Sequence, residues 1–273
     1  MENAFSHGLL WKIDTAGNAV EPSYLLGTLT SADPRVHALP QGLVKALSRM
    51  KSAVFEGLST NQKMPETRLG SDESLFDLLN ENQKKKLTEL APLYGMDPND
   101  MSNLKPVTLF TMFSYPPSEL ARQSQGNEPL DLALEWQLRE QGVPVFGLET
   151  EDEIAARYDN LPYPLQAELL GSVLQNAETK ETEFEHLLQL YLAQDLAGMK
   201  AAWDKAIASL QTATREFYET SFLTRRNNLF TERMKEHLNN GGAFIAVGAS
   251  HLLGETGVLN LLHSKNYRLT RVD

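Results

Sequence analysis

Two short motifs of the same form each place a polar side chain three residues after a glycine. One is GTLT, residues 27–30, and the other is GASH, residues 248–251; each follows an apolar run. A glycine at a strand end lets a backbone or a ligand approach closely, because it has no Cβ. An imidazole and a hydroxyl at two such ends could help to hold a metal ion, move a proton or bind a substrate. Taken alone, either motif is short enough to occur by chance.

Two carboxylates follow apolar runs in the same way. Glu56 ends "SAVFE" and Glu149 ends "PVFGLE". A carboxylate at the end of an apolar strand is costly to bury without a partner, so Glu56 is either a functional residue or a solvated edge residue. Ligands of open α/β sheets bind outside the carboxyl ends of the strands. We therefore expect Thr30, Glu56 and His251 to converge on one cleft.

Arg226 stands on the apolar side of a predicted helix, in "SFLTRRNNLFTERM". An arginine in that position either extends its charged head into solvent or meets a buried anion. We expect the second, with the guanidinium in the same cleft. For His251 the alternative to a functional role is a structural one, because a histidine at a strand end is often simply hydrogen-bonded within the fold.

The elements that must position these residues alternate along the chain. Strand-like runs cluster near residues 8–57, 144–149 and 243–272, and helical spacing of apolar residues fills 70–140 and 151–240. Gly17-Asn18, between two strand-like runs, predicts a β-hairpin. Parallel strands need crossovers, which are usually helices. The pattern predicts an α/β fold of the α+β type: one domain over 1–273, whose mixed sheet is assembled from distant segments with two long helical excursions.

Composition excludes several classes of protein. The 273 residues carry a net charge of −11, which argues against nucleic-acid binding because phosphates require clustered Lys and Arg. Cysteine is absent, so thiol nucleophiles, thiolate zinc sites and disulfides are excluded. No apolar run approaches the roughly 18 residues that a membrane span needs.

Six blocks of the chain together resemble the TraB/PrgY/GumN superfamily, which includes the Tiki-type metalloproteases. The blocks follow the family order over nearly the whole chain: "GLLWKID", "PSYLLGTLTSADPRVHALP", "AVFEGL", "VPVFGLETEDE", "RRNNLFTERM" and "FIAVGASHLLGETGVLNLLHSKNYRLTRV". The resemblance implies a mixed-sheet α/β core and, in active members, divalent-metal-dependent peptide hydrolysis. Because "GLLWKI" is similar to exported bacterial members, we expect a periplasmic protein without its signal peptide; a cytoplasmic protein is the alternative.

The family's active-site signature is a glutamate and two G-x-x-H motifs, together with an Arg-Asn pair on a late helix. Carried over to this chain, the resemblance implies catalytic roles for Glu56, His251 and Arg226. It implies a site for Mn, Co or Zn at Glu56, His251 and Thr30. The substrate, a peptide or protein, would meet the following residues: Gly27, Glu149, Arg226, Asn227 and Gly248.

The sequence departs from the family pattern at Thr30, where the first motif has a histidine. A threonine hydroxyl is a weak metal ligand, so we expect reduced metal affinity, which Thr30→His would restore. Three hypotheses follow. The chain is a metal-dependent peptidase-like hydrolase, impaired by Thr30. It is an inactive member that binds a peptide or protein partner in the same cleft. Or it is a metal-independent hydrolase with His251 as general base, helped by Glu56.

Overall fold

The computed structural model describes residues 5–15, 20–39, 41–47, 49–59 and 66–272. Within these residues, six strands form one sheet in the order β4-β3-β5-β2-β1-β6. The predicted Gly17-Asn18 turn lies outside the described residues, although β1 and β2 pair antiparallel as a hairpin requires. The strands are β1 (Leu10–Asp14), β2 (Ser23–Thr28), β3 (Ser52–Phe55), β4 (Val145–Gly147), β5 (Ala243–Gly248) and β6 (Arg268–Arg271).

The sheet is mixed, and its parallel part carries the candidate residues. β5 pairs in parallel with both β2 and β3, and β4 extends this part on the far side of β3. β1 and β6 add antiparallel strands at the other edge. In this register Thr28 lies opposite Gly248, and Phe55 lies opposite Ala246. The carboxyl ends of β2, β3 and β5 therefore meet at one edge of the sheet, and the prediction of a mixed α/β sheet is confirmed.

The first helical excursion connects β3 to β4. Prolines set several of its boundaries: α2 stops before Pro92, and α3 and α4 begin at Pro106 and Pro117. A proline suits the first helical position because its missing N–H would have no partner there. The helices up to β4 are α1 (Gln41–Leu47, before β3), α2 (Glu81–Leu90), α3 (Pro106–Phe113), α4 (Pro117–Ser124) and α5 (Leu130–Glu140).

The second excursion runs from β4 to β5 and ends in the helix that carries Arg226. A π-helical turn, Glu219–Thr224, joins its last two helices. Such turns are rare and frequently occur at functional sites. The helices are α6 (Glu151–Asp159), α7 (Tyr163–Gln175), α8 (Lys180–Leu192), α9 (Leu196–Ile207), α10 (Thr212–Tyr218) and α11 (Arg225–Asn240); α12 (Val258–Ser264) then links β5 to β6.

The main hydrophobic core surrounds β5. Residues 243–247 of this strand are all buried, and they share one apolar cluster with residues of α11 and α12, such as Phe230 and Leu259. A second cluster packs α2 and α3 against α7. None of the helices in the described part of the chain is long and apolar enough to cross a membrane.

Candidate functional site

Arg226, in the first turn of α11, lies at the centre of the site. Its Nε and Nη2 donate to the Glu149 carboxylate at distances from 2.7 to 3.2 Å. Nη2 also donates to Glu56 Oε2, and Nη1 donates to His251 Nε2 at 2.8 Å. The remaining contact of Nη1 is with the Phe222 carbonyl, at 3.5 Å. A guanidinium has five N–H groups, so those of Arg226 are all directed at acceptors within the protein.

Glu56 follows β3 directly and is held from two sides. Oε2 accepts from Arg226, and Oε1 accepts from the Gly248 N–H at 2.6 Å. A Cβ on Gly248 would lie 3.2 Å from Oε1, so glycine is the residue that permits this approach. Burial acts to raise the pKa of Glu56, but His251, Arg226 and the Gly248 N–H together lower it to about 2. Glu56 is therefore ionised at neutral pH.

His251 is buried behind Arg226, and both of its ring nitrogens have partners. Nδ1 lies 2.6 Å from the Asn227 amide oxygen, and the Asn227 nitrogen donates to the Thr256 carbonyl. Because an amide oxygen can only accept, the proton is on Nδ1 and the lone pair of Nε2 accepts from Arg226. Burial lowers the pKa of His251 to about 4, against the opposing charge of Glu56. The imidazole is neutral at pH 7.

Glu149, which follows β4, is buried between two arginines. It accepts from Arg226 on α11 and from Arg157 on α6. Thr150 caps α6 and thereby fixes the chain next to Glu149: its hydroxyl accepts from the Glu153 N–H, and the Glu153 side chain accepts from the Thr150 N–H. Two carboxylates, two guanidiniums and a neutral imidazole therefore form one cluster of balanced charge.

A cavity of about 560 Å³ opens at this edge of the sheet. Thr30, Glu56, Glu149, Gly248 and Arg226 all line it, so the structure brings together most of the residues that the sequence analysis selected. The Thr30 side chain also faces the phenol of Tyr115, whose pKa burial raises to about 12.

Three of the selected residues lie away from the wall of this cavity. His251 and Asn227 are behind Arg226 and line a second cavity of about 490 Å³, which Arg226 also borders. Gly27 packs inside the fold, where a Cβ would lie 2.5 Å from Leu252, and its carbonyl accepts from Tyr191. The glycine at position 27 is therefore explained by packing, whereas a direct contact with substrate was expected. The solvent-directed alternative for Arg226 is wrong, because its head is paired.

Several charged residues of the cavity were not predicted from the sequence, among them Arg157 and Asp131. Arg157 stands on α6, beside Glu149, and Asp131 stands in the first turn of α5. Asp131 Oδ1 is buried and has no hydrogen-bond partner among the described residues. Burial and the negative charge of Glu56 raise the pKa of Asp131 to about 6. An acidic residue in a first helical turn is common because it complements the helix dipole, so the sequence carried no signal that this one is unusual.

The three predicted metal ligands do not fit a divalent ion in this arrangement. His251 Nε2 and Glu56 Oε2 accept from Arg226, and Glu56 Oε1 accepts from a backbone N–H. A metal ion would need these lone pairs, which N–H donors already engage, and the positive guanidinium of Arg226 lies beside them. Across the described ranges, no three His, Asp or Glu side chains are grouped to hold an ion.

The sequence profile of the TraB/PrgY/gumN family matches residues 9–271, which is nearly the whole chain. Searches of curated proteins and of solved structures found no match.

Proposed function

Because this chain belongs to the TraB/PrgY/gumN family, we propose that it binds a peptide in the 560 Å³ cleft and does so without metal-dependent turnover. The observation that carries the proposal is the position of the Arg226 guanidinium, which contacts Glu56, Glu149 and His251 simultaneously. This supports the proposal because Arg226 engages the two side chains, Glu56 and His251, that the family resemblance assigns to a metal ion.

The groups around Arg226 are poor acid–base catalysts at neutral pH. A general base works best when its pKa is near the working pH. Glu56 has a pKa of about 2 and His251 has a pKa of about 4. The His251 lone pair is also engaged by Arg226. This argues against the metal-independent hydrolase, in which His251 would take a proton from water.

The cleft has the size and the chemistry of a ligand site. Its volume of about 560 Å³ falls within the roughly 300–1,000 Å³ of typical ligand pockets. Apolar side chains, such as Phe55, Leu132 and Ile154, share its walls with the charged cluster. Such a mixed wall suits a short stretch of peptide, which carries apolar side chains and polar backbone groups. A periplasmic location remains part of the proposal, on the resemblance of the N-terminal block to exported members.

A second candidate is the family's metal-dependent peptide hydrolysis, with Mn, Co or Zn. One observation favours it: Glu56 Oε1 and His251 Nε2 are only 3.6 Å apart. If the Arg226 head moved into the second cavity that it borders, these two atoms could face one ion. Turnover would then require metal and displacement of Arg226.

Calorimetry with unstructured peptides, followed by mass spectrometry for cleavage, separates the two candidates. We expect peptide binding in EDTA and no cleavage after addition of manganese, cobalt or zinc. Leu132→Trp fills the cleft and should abolish binding, whereas Leu93→Trp, at an exposed position, should not. Metal-dependent cleavage that is lost in His251→Ala would establish the hydrolase, and absence of peptide binding would end the first proposal.

A further inference from the structure

The carboxylates of the cleft differ in whether the protein neutralises them. Glu56 pairs with Arg226, and Glu149 pairs with Arg157 as well as Arg226. Glu135 is bound by Arg139 and by the hydroxyl and N–H of Ser59. Asp131 lines the same cavity, yet no cation of the described chain pairs with it, and its buried Oδ1 accepts no hydrogen bond from the described residues.

The surroundings of Asp131 leave its charge uncompensated. The nearby acidic groups include Glu56 and Glu135, which repel its negative charge, and the phenols of Tyr115 and Tyr191 are also near. The backbone N–H groups of the first turn of α5 favour the ionised form only in part. A shielded carboxylate without a partner is costly. A cationic group supplied from outside would relieve that cost.

We propose that Asp131 binds a primary ammonium group of the ligand, from a lysine side chain or a free peptide N-terminus. The proposal rests on the proposed function in that it names the chemical group by which a peptide is recognised in the same cleft. An ammonium is a compact charge with three donors and no acceptor, so it matches a single carboxylate that lines the cavity without a cationic partner among the described residues.

The rest of the cleft supports an ammonium over the other ligands that a carboxylate attracts. Leu132 and Tyr158 line the cavity together with Asp131 and can cover the alkyl stem of a lysine. A divalent metal ion would need further oxygen or nitrogen ligands, but the neighbouring carboxylates of Glu56 and Glu135 are already bound to arginines. An anionic ligand would be repelled by the unpaired negative charge of Asp131.

The test uses the whole chain and Asp131→Asn, which keeps the shape and removes the charge. Four probes are titrated by calorimetry: acetyl-Gly-Lys-Gly-amide, the same peptide with Nε-acetyl-lysine, Gly-Leu-Gly-amide with a free N-terminus, and benzylamine. The wild type should bind benzylamine and at least one ammonium-bearing peptide. Asp131→Asn should bind those probes about tenfold or more weakly, because a charge-assisted contact is lost. Asp77→Asn, at an exposed position, should bind as the wild type does.

The outcomes are separable. Loss of lysine-peptide binding on acetylation assigns the site to the side chain, and retained binding of the free N-terminus assigns it to the chain end. Benzylamine binding that depends on Asp131, without binding of any peptide, supports the ammonium site and ends the peptide proposal. Equal binding of acetylated and free peptides to wild type and Asp131→Asn overturns the ammonium site and leaves peptide binding intact. Failure of all four probes to bind the wild type overturns both.

Discussion

Buried charged groups are paired in one part of the cleft and left without a partner in the neighbouring part. Around Arg226, Glu56 and Glu149 have cationic partners, and both nitrogens of His251 have hydrogen-bond partners. At Asp131, one carboxylate oxygen is buried without a partner among the described residues. Arg226, Glu56 and Glu149 of the first part line the same cavity as Asp131.

The difference indicates which part holds the site together and which is available to a ligand. A satisfied buried network rigidifies the structure and offers few free donors or acceptors. An unsatisfied buried group costs stability and is retained where function uses it. On this basis Arg226 is a positioning residue, and Asp131 is the contact for the ligand.

The largest effect is expected from removing Arg226. Arg226→Ala leaves Glu149 with only Arg157 and leaves Glu56 without its cation. Breaking a buried ion pair on one side costs about 3–5 kcal/mol of unfolding free energy. Urea denaturation measures this loss, and Arg225→Ala, at the exposed neighbouring position, is the matched control. Equal stability of the two variants would show that the cluster does not hold the cleft together.

Asp131→Asn is expected to act in the opposite direction and to stabilise the free protein. The pKa of Asp131 rises from 3.8 to about 6 on folding. A raised carboxyl pKa makes the folded state bind the proton more tightly, so Asp131 destabilises it increasingly as the pH rises through this range. Above pH 6 the substitution should therefore gain up to roughly 3 kcal/mol. The gain should vanish below pH 4, and unfolding curves at pH 4 and pH 8 measure it. Equal gains at both pH values would contradict the account.

Asn227→Ala tests the hydrogen bonds that hold His251 behind Arg226. The variant removes the acceptor for His251 Nδ1 and the donor to the Thr256 carbonyl. Leaving buried polar groups without partners costs about 1–3 kcal/mol each. Asn228→Ala is the matched control, since Asn228 is exposed and donates only to a local carbonyl. A loss no greater than that of the control would mean that His251 is not held by Asn227.

The smallest effect on stability is expected for Thr30→His. Thr30 is exposed at the edge of the cleft, so its replacement should change stability by less than about 1 kcal/mol. From the family pattern, this change was predicted to restore a metal site. With Arg226 in place we now expect no metal-dependent rise in the melting temperature. A manganese-dependent rise in the melting temperature would favour the hydrolase. At free manganese a hundredfold above its dissociation constant, the free energy of unfolding would then increase by about 2.7 kcal/mol.

Much of the fold was predictable because strand and helix periods are local properties of the sequence. Apolar spacing and turn residues predicted the strand clusters, the helical stretches between them and the mixed sheet. Strand-end placement predicted that Thr30, Glu56 and His251 share a cleft; Thr30 and Glu56 line it, whereas His251 lies behind Arg226 and lines the second cavity. That all of 1–273 forms a single domain remains a prediction.

The parts that could not be predicted depend on contacts between distant segments. Its position on an apolar helix face marked Arg226 as unusual. The sequence did not indicate that Glu56 and Glu149 both reach its guanidinium from the ends of separate strands. Asp131 looks like any acidic residue of a first helical turn until the neighbouring charges are placed around it. Gly27 and Gly248 share a motif, yet one glycine accommodates Leu252 and the other accommodates a carboxylate.

In this structure Arg226, and not a metal ion, engages the lone pair of His251 Nε2. Nitrogen-15 NMR of the histidine side chains during a zinc titration tests it most directly, with His251 assigned by comparison with His251→Ala. We predict a neutral ring with the proton on Nδ1 at pH 7, and a Nε2 signal that stays unchanged up to a tenfold excess of zinc. A shift of the Nε2 signal that saturates with zinc would show that the metal displaces Arg226, and would contradict the account.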